Sequence, residues 1–269
     1  MALPTHIYIG YDKSGSTWLF NALSSNPYVS LAQSKETFFF DRFFHNGLDW
    51  YSSFFSDSSQ VRLDISHDYI FYKESIDRIL STMPNVNIII FLRNPIFKLW
   101  SMYNYAKRTN RISCSLRSAI KNDPGMVRRS LYYDDINYIL NNFSNVKIFY
   151  FDELESDPVI FYQSICCYLN IPSISNTSLD KKVNQAAIFR FPFLNFLVNN
   201  LSKLLRFSKL YSVIGFLKTN HFLQRLFFKP SNATLSKADF KYLLSLFNDD
   251  IDSLSKLLSR DFTSWKKYL

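Results

Sequence analysis

The chain is predicted to fold as a three-layer α/β domain with a mainly parallel sheet and a C-terminal helical extension. Three observations predict it. β-rich runs alternate with amphipathic helical stretches up to about Pro172. The run VNIIIFL (Val86–Leu92) lacks the polar alternation of a half-exposed strand, as burial on both faces of a parallel sheet requires. Beyond Asn184 the apolar residues recur at three and four, the helical period, and strand signals stop. The 269 residues suit one sizeable domain, read as a core over 1–180 and a basic helical extension over 181–269 packed on it.

The elements follow in order. HIYIG (His6–Gly10) is a short β-rich run closed by a glycine. STWLFNALSSN continues as a helix with Trp18, Leu19 and Leu23 on one face, Ser16 or Thr17 at its cap and Asn26-Pro27 as its stop. VRLDIS (Val61–Ser66) is a second strand, and Tyr72–Met83 an amphipathic helix stopped by Pro84. Val86–Leu92 is the strongest strand, and Pro95 then takes the favoured first position of a helix. Leu131–Phe143 is helical, VKIFYF (Val146–Phe151) a further buried strand, and DPVIFYQSICCYLNI a helix after it. Ile171–Asn184, rich in Ser and Asn, reads as a connecting loop. Phe193–Leu210 and Phe216–Phe228 are apolar and basic, and Leu235–Leu258 is a clean amphipathic helix with Ser236 and Asp239 placed as a capping box.

Composition excludes several classes. Hydrophobic residues make up 47% and aromatics 18%, enough for a large core. No run reaches the 18 or so apolar residues of a membrane span, and the N-terminus lacks the pattern of a secretory signal. Three cysteines, Cys114, Cys166 and Cys167, without a CxxC pair, point to reduced thiols, a cytoplasmic setting and no zinc site.

The chemistry starts at IYIGYDKSGSTWL. Gly10 and Gly15 have the five-residue separation of a nucleotide-hydrolase phosphate loop, but Ser16 follows where that pattern has Lys, and Lys13 precedes the second glycine. A glycine-containing turn running into a helix N-terminus offers backbone N–H groups to an anion. Alone, it is also compatible with an ordinary strand–helix turn. IIIFLRNPIFKLWS supplies a second candidate. It ends a strand with Arg93, not with the Asp that holds magnesium in nucleotide hydrolases, and Ser101 lies eight residues on. An arginine at the C-terminal end of a parallel strand faces the crevice where such folds bind ligands, although a surface ion pair would also use it. Two anion sites without a metal-holding carboxylate suit a ligand with two separate anionic groups.

KSGSTWL, followed by KETFFFD, FLRNPIFKLWSMYNY, VKIFYFDELESDP and LSRDFTSW, resembles the sulfotransferase family over nearly the whole chain. The likeness is to bacterial carbohydrate-type members related to the sulfotransferase domain of heparan sulfate enzymes. It implies a fold of the P-loop nucleotide-binding type and 3′-phosphoadenosine 5′-phosphosulfate (PAPS) as donor, with PAP as product and no metal. By that resemblance Lys13, Ser14, Gly15, Ser16, Thr17 and Trp18 surround the 5′-phosphosulfate, Arg93 and Ser101 hold the 3′-phosphate, and Arg190 in NQAAIFR joins from a late loop. The chain departs from the family pattern at Ser14 and at Ser66-His67. A lysine early in the loop reaches the oxygen bridging sulfur and phosphate as the bond breaks.

On sequence alone a surface pair with Lys35 is the favoured account of Glu36, and the resemblance reverses that: Glu36 in SKETFFFD matches the base of the carbohydrate-type members. His67 is the competing base. Arg129 and Ser130 are weaker donor contacts. The aromatics of Thr37–Phe44 and His67–Tyr72 line an acceptor cleft or simply pack the core. The expected acceptor is a hydroxyl or amine of a glycan, lipid-linked sugar or small natural product. A nucleotide kinase or hydrolase, or a non-catalytic polyanion-binding module, are the alternatives.

The charge is lopsided. Lys181–Lys229 holds nine basic and no acidic residues, leaving 22 of each sign elsewhere and carrying the whole net charge of +9. An anionic small-molecule or glycan partner is expected there, no nucleic acid, and peripheral contact through 193–228 with the inner face of a membrane is the weaker alternative.

Overall fold

Five parallel strands form the sheet in the order β2–β3–β1–β4–β5. The computed structural model describes residues 2–33, 35–56, 59–174, 187–189, 228–230 and 234–268. β1 (His6–Gly10) is central, paired with β3 (Val61–Ile65) on one side and β4 (Asn87–Leu92) on the other; β2 (Val29–Leu31) and β5 (Val146–Tyr150) are the edges. The chain leaves β1 for one half of the sheet and returns to the other half at β4, so the C-terminal end of β1 faces a topological switch point.

Side-chain alternation along β4 explains the layers. Ile88, Ile90 and Leu92 enter a cluster with α3 (Lys73–Thr82), α4 (Pro95–Arg108), α7 (Tyr133–Asn142) and α10 (Lys237–Leu258). Ile89 and Phe91 turn to the opposite face, against α1 (Ser16–Leu23) and α9 (Pro158–Tyr168). A strand with both faces covered must be apolar throughout, which is why Val86–Leu92 reads as it does. α10 belongs to the first layer: Phe240, Leu243, Phe247, Ile251 and Leu254 are all buried there.

The expected Pro95 start and Ser236 cap are both present. Asn94 Oδ1 accepts from Ile96 N at 3.0 Å with Pro95 opening α4, and Ser236 Oγ accepts from Asp239 N at 3.0 Å. α1 differs. Gly15 stands at its cap without a side-chain bond, in place of the expected Ser16 or Thr17. VKIFYF also differs: β5 is an edge strand of the described sheet, and of its residues Phe149 alone is buried. Four short helices were not anticipated: α2 (Gly47–Ser52), α5 (Leu116–Asn122), α6 (Gly125–Arg128) and α8 (Phe151–Ser156); each is too short for a helical period to emerge. β2, three residues long, was missed for the same reason. In the extension, Ala187–Phe189 (β6) and Phe228–Pro230 (β7) pair antiparallel, where helix alone was expected. The remaining residues of the basic segment, Arg190 among them, lie outside the described residues.

Candidate active site

Four of the candidate stretches follow the C-terminal end of a parallel strand: Tyr11–Ser16 after β1, Lys35–Phe39 after β2, Ser66–Asp68 after β3 and Arg93 after β4. The fold therefore gathers them at one edge of the sheet.

The loop after β1 is shaped by close approach and left-handed backbone. A Cβ on Gly10 would stand 2.4 Å from Ile70 Cγ2, so only glycine lets the 67–71 segment pass. Lys13 (φ 57) and Gly15 (φ 107) both have positive φ. Among the described residues, the N–H groups of Lys13 through Thr17 in this turn donate to no protein acceptor. Gly15 then starts α1, whose positive dipole end adds to the same point. Such a cradle fits an anion. Ser14 and Ser16 are buried, with Ser14 Oγ on the Asp12 carbonyl at 3.3 Å. Trp18 belongs to the core through its side chain, which packs on Phe161 at 5.4 Å, so its contribution to a ligand is left to its backbone.

Beneath the loop lies an ion pair that nothing in the sequence spacing announced. Lys98, fully buried on α4, places Nζ 2.8 Å from Asp12 Oδ1 and donates to the Arg129 carbonyl at 2.7 Å. Burial works to raise the pKa of Asp12, but the Lys98 ammonium outweighs it and holds the carboxyl below its usual range. Burial lowers the pKa of Lys98 in spite of that partner. The only sequence trace of the pair is a lysine inside the apolar PIFKLW.

Arg93 is tied to the same loop. Its Nη1 donates to the Lys13 carbonyl at 2.9 Å, its guanidinium stacks 4.2 Å from the Phe151 ring centroid, and Glu155 lies 3.7 Å away. Tyr132 OH fixes the Arg93 carbonyl at 2.7 Å, and Asn94 Nδ2 reaches the Trp265 carbonyl at 3.0 Å. The terminal FTSW segment thus braces the start of α4. Ser101 lies on that helix, half-buried, two turns beyond Arg93. Ser130 is buried and bonded to the Met126 carbonyl at 3.2 Å, which places it in the structure of that turn.

Glu36 and His67, weighed as rival bases, are brought together. His67 Nε2 stands 3.5 Å from Glu36 Oε1, and Lys35 Nζ 2.9 Å from the same oxygen and 3.4 Å from Ser16 Oγ. On its other side His67 Nδ1 is 3.7 Å from Asp68 Oδ1, to which Arg129 donates at 2.6 Å. Arg42 reaches the other Asp68 oxygen at 3.2 Å. Glu36 therefore has both its expected lysine partner and a place beside the loop.

What holds Glu36 there is a buried carboxylate. Asp64, with no exposed surface, accepts from Tyr51 at 2.7 Å, Ser66 at 2.8 Å, Thr37 at 3.0 Å and Tyr69 at 3.0 Å. Burial raises its pKa against those four hydroxyls. Thr37 N also donates to Ser66 Oγ, and Glu36 N to the Ile65 carbonyl at 3.1 Å. Glu36 (φ 68) and Phe38 (φ 51) flank Thr37 in left-handed backbone, a conformation that such anchoring can hold. The aromatics around it divide: Phe39, Phe40 and Tyr69 are buried in the core, while Phe43 and Tyr72 are exposed.

A model of the sulfotransferase domain matches residues 4–200, well over half of the chain. The chain belongs to the sulfotransferase family. Among curated relatives it is 28% identical over 111 residues to the membrane-associated sulfotransferase kil1 of Dictyostelium discoideum, covering 39% of this chain and 24% of that one. It is 34% identical over 115 residues to the human bifunctional heparan sulfate N-deacetylase/N-sulfotransferase 3, covering 39% and 13%. It is 30% identical over 102 residues to the human heparan sulfate glucosamine 3-O-sulfotransferase 6, covering 37% and 30%. These matches span under a third of each relative's length. Among solved structures, a sulfotransferase from Alicyclobacillus acidocaldarius superposes with a TM-score of 0.71 at 19% identity, covering 99% of this chain and all of that one, a likeness of fold. The sulfotransferase fold thus places the β1 loop and the strand-end residues on a common edge. No helix among the described residues is long and apolar enough to cross a membrane.

Proposed function

We propose that the protein transfers a sulfuryl group from PAPS to a hydroxyl, or an amine, of a glycan, lipid-linked sugar or small natural product. The observation that carries this reading is the cradle: N–H groups from Lys13 to Thr17 that have no acceptor among the described residues, with the Lys13 side chain and Arg93 at the same sheet edge. PAPS when bound supplies the activated sulfuryl group and two anionic ends. The loop N–H groups and Lys13 hold the 5′ end, and Arg93 with Ser101 the 3′-phosphate. Lys13 stabilises charge growing on the bridging oxygen. Glu36 takes the acceptor proton, and His67 beside it orients the carboxylate. In-line attack leaves PAP on the cradle.

The carbohydrate character of the acceptor is supported by the likeness to the heparan sulfate sulfotransferases. We read the nine basic residues of 181–229 as attracting an anionic acceptor, with membrane contact as the variant, and the cytoplasm as the setting. A kinase or nucleotide hydrolase is disfavoured by two features. Arg93 is the residue that follows β4, and the carboxylate near the end of β3, Asp64, is spent on four hydroxyls.

The test is an assay with ³⁵S-labelled PAPS against fractionated cellular glycans, lipids and metabolites, with mass spectrometry of labelled products. A labelled acceptor that disappears with Lys13→Ala supports the reading. Magnesium-dependent ATP turnover without any sulfuryl transfer overturns it.

A further inference from the structure

Ser101 and Tyr105 lie four residues apart, on one side of α4. Tyr105 is where the Lys13 side chain ends: Nζ stands 3.6 Å from the ring centroid, so the ammonium meets the negative face of the π-system. The backbone end of Lys13 is fixed too, by φ 57 and by Arg93 on its carbonyl at 2.9 Å. The lysine is held at both ends, and Tyr105 is the far anchor.

The seat is shallow by construction. Arg108 and Arg111 approach the same ring, with Cζ 5.1 Å and 5.6 Å from its centroid. From Arg78 to Asn122 the sequence has no Asp or Glu, so the surrounding segment is uniformly positive. Burial pulls the Lys13 pKa down to about 8; Asp12 and Glu36 oppose that, and Arg108 and Arg111 add to it. The ring attracts the ammonium while two guanidiniums repel it, so an arriving anionic oxygen readily draws it away. Seated on the ring, Lys13 is also kept from pairing with Glu36, which would silence cation and base together.

We propose that Tyr105 is a positioning residue, whose ring face seats the Lys13 ammonium and releases it to the donor's anionic oxygens on binding. The proposal rests on the donor reading above. The direct test is NMR of protein labelled with [ε-¹³C]lysine, the Lys13 signal being assigned by Lys13→Arg. The ring current shifts the Lys13 ε-protons upfield of the other lysines. Tyr105→Phe keeps that shift, Tyr105→Leu removes it, and PAP removes it from the wild type. A Lys13 signal without the shift, equally shifted in Tyr105→Leu, or unmoved when PAP measurably raises the melting temperature overturns the proposal and leaves the donor reading standing. No thermal shift with PAP overturns the donor reading, and the proposal with it. A double-mutant cycle on ³⁵S transfer adds a functional readout. Tyr105→Leu lowers kcat/KM for PAPS about tenfold, because the unseated Lys13 pairs with Glu36, and leaves kcat at saturating PAPS within about twofold. In a Lys13→Ala background Tyr105→Leu changes nothing more, and Tyr105→Phe is close to wild type. Additive losses overturn the coupling.

Discussion

Lys98→Met removes one charge from the floor of the loop while keeping the length and apolar character of the stem. Asp12 is then a carboxylate with 7% of its surface exposed and its ammonium partner, formerly at 2.8 Å, gone. Breaking a buried pair on one side costs about 3–5 kcal/mol, mostly the uncompensated charge. For a chain of this size that lowers the melting temperature by roughly 10 °C. Asp12→Asn with Lys98→Met recovers most of the loss, because the apolar and amide pair leaves no buried charge. The pH dependence reverses in the single variant. In the wild type the Asp12 pKa is depressed, so its contribution is present above the usual carboxylate range and lost as pH falls through the folded value. Without Lys98 burial dominates and raises that pKa, so stability increases as the pH falls from 7.5 towards 5 relative to the wild type. Urea titrations at both pH values read these differences. A single-variant cost under about 1 kcal/mol, or a double variant as unstable as the sum of the singles, contradicts the reasoning.

Further outcomes follow from the same geometry. Glu36→Gln keeps PAP affinity and lowers sulfuryl transfer by about 10²-fold or more, with His67→Ala milder; the reverse order in kcat, measured with one identified acceptor, assigns the base to His67. PAP affinity is flat below about pH 8 and weakens above it as Lys13, whose pKa is near 8 through burial, loses its proton; calorimetry across pH 6.5–9.5 should show the bend disappearing in Lys13→Arg. His6 is buried, with a pKa lowered to about 4, so its neutral form is favoured on folding. Its contribution is present above about 6.5 and lost as pH falls towards 4, by at most about 3 kcal/mol. His6→Phe flattens that part of the acid denaturation curve, and an unchanged curve refutes the assignment.

The layers were legible because burial leaves a pattern. Val86–Leu92 is apolar on both faces since both faces are covered, and α10 repeats at three and four since one face is. The phosphate-loop spacing and the strand-end Arg93 were readable because backbone geometry restricts which residues serve there. What escaped was long-range and polar. Asp12 and Lys98 are 86 positions apart, and Asp64 meets Thr37 and Tyr51 only once β3 and the 35–51 segment have been assembled. An acid in VRLDI and a lysine in PIFKLW are faint signs that a partner exists, without saying where. Tyr105 gives no sign at all, since one more aromatic in an amphipathic helix is what core packing produces. Glu36 and His67 looked like alternatives because the chain separates them; their 3.5 Å approach follows from β2 and β3 being adjacent.

The central claim is that the β1 loop and Arg93 together hold a nucleotide with a 5′ and a 3′ anionic group. Isothermal titration with PAP in the presence of EDTA tests it most directly, run beside adenosine 5′-phosphate and ATP with magnesium. The account predicts metal-independent PAP binding, weakened by at least about tenfold on removing the 3′-phosphate and by a similar factor in Arg93→Ala. Binding of ATP with magnesium in preference to PAP, or PAP binding indifferent to both the 3′-phosphate and Arg93, would contradict it.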